Sequence, residues 1–185
     1  MIRETLNQAE ERMQKVVEFF RQELATLRAG RASPALVERI RVDYYGTPTP
    51  LNQLASISVP EPRLLVIQPW DKNALGDIER ALLKSELGIT PNNDGNVIRL
   101  TIPQLTEERR NELIRLVRKK AEEQRVAVRN IRRDANDELK KLHHEGEITE
   151  DEYHRALEDV QKLTNRYIEQ IDQLLAGKET EIREE

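Results

Sequence analysis

Residues 106–146 read TEERRNELIRLVRKKAEEQRVAVRNIRRDANDELKKLHHEG. Within this stretch Leu113/Ile114, Val117, Ala121, Gln124, Val128, Ile131, Ala135, Leu139 and Leu142 follow one another in three- and four-residue steps. That spacing predicts a single helix with one sustained, heptad-like seam facing a core. Thr106 is a good N-cap, and Glu107 and Glu108 place negative charge where the helix dipole favours it. Gly146 ends the run. At roughly 40 residues and about 1.5 Å per residue, the helix is near 60 Å long. One apolar seam on so long a helix needs partners for its burial.

The chain supplies two. Residues 2–29 place Ile2, Leu6, Ala9, Met13, Val16, Phe20, Leu24 and Leu27 on one stripe with no internal Pro or Gly, which predicts an amphipathic helix. Gly30-Arg31-Ala32-Ser33-Pro34 ends it. Thr149-Glu150-Asp151-Glu152 is a capping-box sequence, and the helix it opens carries Tyr153, Ala156/Leu157, Val160, Leu163, Tyr167, Ile171 and Leu174. The economical arrangement is an antiparallel three-helix bundle built from 1–30 and 105–185. The rest of the chain, 31–104, has a different texture. Seven of the eight prolines lie between Pro48 and Pro103. Val37–Tyr45, Leu64–Ile67 and Asn96–Ile102 read as strands, Asp71–Leu87 as a helix, and Gly46–Pro50 and Pro91–Gly95 as turns. The expected class is α+β: an elongated bundle with a small β/α/β domain inserted between its first and second helices.

Composition agrees with elongated helical packing. Apolar residues make up 37% of the 185, aromatics 4% and charged residues 35%, so there is little material for a thick core. The absence of cysteine excludes disulfides, thiolate metal sites and a cysteine nucleophile. No apolar stretch approaches membrane-spanning length, so no membrane partner is expected and the expected compartment is the cytoplasm. The net charge of −4 hides a polarity: residues 109–133 carry ten Lys/Arg against three acids, while 145–185 carry thirteen acids against five bases.

Setting Arg115 at 0° on a helical wheel, Arg118, Arg125, Arg129 and Arg132 fall between roughly −40° and −100°, and the apolar centre lies near 180°. The arginines thus line a flank of the helix beside the seam. Forked guanidinium contacts suit phosphate oxygens, which points to nucleic acid. The competing reading is a solvated face paired with acids on a neighbouring helix. The basic segment has no Phe, Tyr or Trp, so stacking on unpaired bases is disfavoured and backbone or groove-shape recognition of folded RNA fits better. Enzyme readings are weak. His143 and His144 are adjacent on a helix and point about 100° apart, away from any common metal. Ala176–Thr180 resembles a phosphate loop only in Gly177-Lys178, without the upstream glycine. A coiled-coil scaffold seeking a second chain is the structural alternative; it predicts oligomers, where the bundle predicts a monomer.

Five segments carry a resemblance. Gly30–Pro34, Tyr44–Leu51, Leu105–Arg110, Arg125–Asp137 and Asp159–Thr164 are similar, in order and over nearly the whole chain, to the hallmark segments of the bacterial ribosome recycling factor family. The resemblance implies an L-shaped, two-domain translation factor with no catalytic site and no cofactor. It implies two partners, elongation factor G and the large-subunit rRNA of the ribosome. With elongation factor G and GTP, the latter used by that partner, such a factor splits post-termination ribosomes into subunits and releases them from mRNA. It further implies rRNA contacts at Arg28, Arg31, Arg110, Arg129, Arg132 and Arg133, a small domain facing the translation factor, and a hinge at Gly30, Arg31, Gln104 and Leu105.

Overall fold

In the computed structural model the described residues are 1–27 and 30–184; Arg28, one of the expected RNA contacts, lies outside them. The three long helices are α1 (Ile2–Ala25), α3 (Glu107–His144) and α4 (Glu150–Glu184). Between α1 and α3 lie β1 (Arg41–Tyr44), β2 (Thr47–Pro50), β3 (Ala55–Glu61), β4 (Leu64–Pro69), α2 (Leu75–Lys84), β5 (Asn92–Asn93) and β6 (Ile98–Thr101). The chain divides into two compact units, 1–24 with 111–181 and 25–110 with 182–185. The second unit therefore takes in residues on both sides of the expected 31–104 segment.

In the first unit the three seams bury one another. Met13, Phe20, Val117, Ala121, Val128, Leu139, Val160 and Ile171 have no accessible surface, and each large apolar side chain so buried contributes about 1.5–3 kcal/mol. No second chain is needed to cover them. Arg12 Nη1 reaches Asp134 Oδ2 at 3.0 Å and Lys120 Nζ reaches Glu23 Oε2 at 3.1 Å, so α1 runs antiparallel to α3. Arg125 meets Asp172, and Arg118 meets Glu179 farther along α4, so α4 is antiparallel to α3 as well. The buried Tyr167 ties α4 to α1: its hydroxyl donates to Glu10 Oε2 at 2.9 Å and accepts from Gln14 Nε2 at 3.2 Å. Burial first, then the Glu10 carboxylate, raises the phenol's pKa.

Two details of the seams differ from the sequence expectation. Val17, not Val16, is the buried valine of α1, because the buried line runs Thr5, Ala9, Met13, Val17, Phe20 and Leu24 in three- and four-residue steps that bypass Val16. On α4 the seam includes Thr164, which is fully buried and returns its hydroxyl to Val160 O at 2.9 Å. A satisfied hydroxyl of that kind can occupy a core position.

The second unit packs a four-stranded antiparallel sheet, in the order β3-β4-β6-β5, with a separate β1-β2 hairpin and α2. Its core includes Val42, Leu51, Leu65, Ile67, Ile78, Leu82, Ile98 and Leu100. Val37–Tyr45 is a strand only from Arg41, since Pro34–Leu36 forms a short 3-10 turn capped by Ser33. Of the expected turn at Gly46–Pro50, only Gly46 lies in the turn, and Thr47–Pro50 is strand β2. Pro48 and Pro50 lie opposite Asp43 and Arg41, and prolines are tolerated there because β2 is an edge strand. The reversal is confined to Tyr45 (φ 50°) and Gly46 (φ 81°), the two left-handed positions of a tight hairpin turn. Strand β3 is absent from the expected elements although Ala55, Ile57 and Val59 alternate with Ser56 and Ser58, a period-two strand signal that Pro60 follows.

The α3–α4 turn closes as its residues predict. Gly146 takes φ 75°. Thr149 N donates to Glu152 Oε1 at 3.0 Å and Glu152 N donates to Thr149 Oγ1 at 3.1 Å, the reciprocal pair of a capping box. The Thr149 amide, followed by the Thr149 hydroxyl, holds the Glu152 carboxyl below its ordinary value. Its stabilising contribution is therefore complete above the unfolded carboxyl pKa and is lost as pH falls through the lower folded value. Replacing Thr149 with Ala is expected to cost about 1 kcal/mol in chemical denaturation and to weaken the acid dependence that Glu152 contributes. Retention of wild-type stability at neutral pH would show that the cap is inert.

Candidate nucleic-acid interface

The structure divides the arginine flank of α3 into two parts. Toward the start of the helix, Arg118 Nε donates to Glu179 Oε1 at 2.6 Å and Arg125 Nε donates to Asp172 Oδ1 at 2.8 Å. Both acids belong to α4, so these two arginines clip helices together. The pairing with a neighbouring helix that competed with the nucleic-acid reading is correct for them. Burial alone would lower the pKa of Arg125, but the bonds to Asp172 and Glu122 reverse that effect and leave it raised. The acidic balance of 145–185 is the signal that could have separated these residues from the rest of the stripe.

Farther along α3 the compensation thins. Arg129 Nη1 donates to Glu122 Oε1 at 3.0 Å and remains half-exposed. Arg132 is half-buried and has no hydrogen bond or ion pair among the described residues. Arg133 is exposed and makes only a long, 3.5 Å contact to Asn130 Oδ1. Val126, 44% exposed, shares this surface at i−3 from Arg129. The face thus presents two uncommitted guanidinium groups, a third held by one acid, and an apolar spot. Rigid cationic forks without aromatic platforms suit phosphate oxygens and groove shape rather than base stacking.

Two of the other expected contacts, Arg31 and Arg110, belong to the second unit. Arg31 is exposed in the second unit, where it lines a cleft with Gly30, Pro62, Arg63, Gln104 and Glu184. Arg110 is half-buried in the same unit, and its Nε is buried without a hydrogen-bond partner. The four expected hinge residues belong to the second unit too. Gly30 is buried with φ 86°, a conformation that favours glycine. Leu105 is 6% exposed, while Gln104 is exposed. Beside them, Ala32 N donates to Pro62 O at 2.8 Å and Ile102 N donates to Arg63 O at 2.7 Å. Both chain connections are thereby fastened to one β3–β4 turn.

His143 stacks on Tyr153 at 4.7 Å with an interplanar angle of 3°. Among the described residues no group of three or more His, Cys, Asp or Glu side chains is placed to hold a metal. Among them also, no helix is long and apolar enough to cross a membrane.

The family model described as Ribosome recycling factor matches residues 20–182. A ribosome-recycling factor of Halalkalibacterium halodurans is 66% identical over 184 residues, with both chains covered completely, and that of Bacillus subtilis is 59% identical over the same length with the same coverage. Among solved structures, a solution structure of a ribosome recycling factor is 51% identical, covering 100% of this chain and 98% of that one, with a TM-score of 0.82. Models for the T. thermophilus ribosome recycling factor and the E. coli elongation factor G bound to the E. coli post-termination complex give 49% identity, 98% coverage of both chains and a TM-score of 0.68.

The two parts of the flank should separate in a stability measurement. Arg132→Ala is expected to shift the unfolding free energy by no more than about 0.5 kcal/mol, as for a surface change without partners. Arg125→Ala, which leaves Asp172 and Glu122 without their shared cation, is expected to lower the denaturation midpoint clearly. Equal midpoints for the two variants would contradict the division.

Proposed function

The chain belongs to the ribosome recycling factor family, and on that premise we propose that it acts with elongation factor G and GTP to split post-termination ribosomes into subunits, releasing them from mRNA in the cytoplasm. The observation that carries the reading is the uncommitted arginine face of α3, on a chain that its relatives match from end to end. In this reading Arg129, Arg132 and Arg133, with Arg28, Arg31 and Arg110, contact large-subunit rRNA. The chain needs no cofactor, and GTP is hydrolysed by the partner factor. The unit formed around β1–β6 meets elongation factor G.

The connections at Gly30–Arg31 and Gln104–Leu105 serve as the hinge. Ala32 and Ile102 are hydrogen-bonded to the β3–β4 turn, so rearrangement is confined to the residues beyond those two anchors. Gly30 supplies the left-handed backbone position that a side chain would strain.

Subunit splitting followed by light scattering tests the reading. The chain should dissociate post-termination ribosomes only when elongation factor G and GTP are both present. Ribosome affinity should fall with salt, with a slope of about −0.7 to −0.9 per phosphate contacted. The double change Arg129→Ala with Arg132→Ala should make that slope shallower while leaving helicity intact. Gly30→Ala should retain ribosome binding and slow splitting. Splitting without the partner factor, or an unchanged slope in the double variant, would refute the corresponding part of the mechanism.

A further inference from the structure

A carboxylate sits inside the cationic stripe of α3. Glu122 Oε2 accepts from Arg125 Nη1 at 3.0 Å, and its Oε1 accepts from Arg129 Nη1 at 3.0 Å. Arg125 in turn bonds Asp172 of α4. The result is a continuous chain, Asp172–Arg125–Glu122–Arg129, that begins in the helix pair and ends beside Arg132 and Arg133. If the stripe served affinity alone, an acid at position 122 would weaken it. The Glu122 side chain is 54% exposed, so no burial requirement explains its charge. Nor does the clip between α3 and α4 require it, because Arg125 already reaches Asp172 directly.

We propose that Glu122 is a specificity-determining residue of the RNA-binding face: it holds the Arg129 fork in one orientation and repels polyanions whose phosphates do not match that orientation. The inference rests on the reading that Arg129, Arg132 and Arg133 contact rRNA. A free arginine carries about 2 kcal/mol of rotamer entropy that must be surrendered on binding, and a guanidinium already fixed by a carboxylate has surrendered part of it. A folded rRNA surface with phosphates at the matching positions gains from that preorganisation. A flexible polyanion meets the Glu122 charge without the matching benefit. Selectivity then comes from a repulsive element placed among attractive ones. The Arg129 bond, followed by the Arg125 bond, lowers the Glu122 pKa, so the carboxylate keeps its charge at neutral pH.

The test uses the full chain and two probes, intact ribosomes and poly(U). Glu122→Gln removes the charge at constant size, and Glu122→Ala removes both acceptors while keeping a good helix former. Both variants are expected to bind poly(U) several-fold more tightly, without a matching gain for ribosomes. The ribosome-to-poly(U) affinity ratio should fall by roughly five- to tenfold, equivalent to about 1–1.4 kcal/mol. In an Arg129→Ala background the same Glu122 changes should leave the ratio nearly unaltered, because the group being positioned is gone. Parallel increases for both probes would reduce Glu122 to a diffuse charge and overturn the proposal. Unchanged affinities for both would reduce it to a structural residue, with the same consequence. If Arg129→Ala and Arg132→Ala fail to weaken ribosome binding in the wild-type background, the rRNA reading itself has failed. If they weaken it while the Glu122 variants keep the ratio, only the present inference has failed.

Discussion

Three helices, each with a single apolar seam, have no stable existence apart, and the mutual burial of those seams is the constraint on which the first unit depends. The chain has few aromatics to thicken a core. Its core is instead a line of Ala, Val, Leu and Ile along α3, closed by Met13 and Phe20 from α1 and by Val160 and Ile171 from α4. A line-shaped core has a high ratio of surface to volume, so most of each helix remains wet. That accounts for a charged fraction of 35% in a folded chain. It also leaves long faces of α3 whose residues are not needed for packing.

Electrostatics then decides what those faces become. The basic run at 109–133 and the acidic run at 145–185 lie on adjacent antiparallel helices, and opposite charges meet wherever the flanks come together. Arg118 with Glu179 and Arg125 with Asp172 are the points of contact. Arg118 is exposed and its pair adds little stability, whereas the Arg125 guanidinium is largely covered and its loss strands two carboxylates. Both pairs commit an arginine to an internal role. Among the described residues Arg132 and Arg133 have no such counterpart, so the uncompensated charge of this flank lies where the pairing stops. The polarity visible in the sequence is thus divided by the fold into a clip and an uncommitted arginine face.

The helical architecture was legible because its signals are local. Three- and four-residue spacing, the Thr149–Glu152 box and the left-handed glycines each specify a backbone state within a few residues; α3 and α4 follow them, while α1 stops at Ala25, short of the expected 2–29. The insert was harder to read. Strands β2 and β3 contain prolines and serines that mimic turns, and their pairing depends on partners such as β4 that are distant in sequence. The division of the arginine flank was legible only in part. A helical wheel places Arg118, Arg125, Arg129 and Arg132 together, yet it holds no information about α4. Arg118 and Arg125 bond Glu179 and Asp172, partners that a wheel of one helix does not contain. The two roles of Glu122 were not legible at all, since a wheel shows one acid among bases without showing that both oxygens are occupied.

The insertion topology carries the last step. Both connections of the second unit return to one place, fastened by Ala32 N to Pro62 O and by Ile102 N to Arg63 O. A unit held at two adjacent points resists twisting about its connections more than one held at a single point. It also transmits a force applied to its surface to both connections together. The backbone between these anchors is ordered by a packed core, whereas Gly30 beyond one of them occupies a conformation only glycine takes without strain. The constraint on the backbone therefore extends from the packed core to both chain connections, and a push on the unit's surface meets stiffness along that whole path.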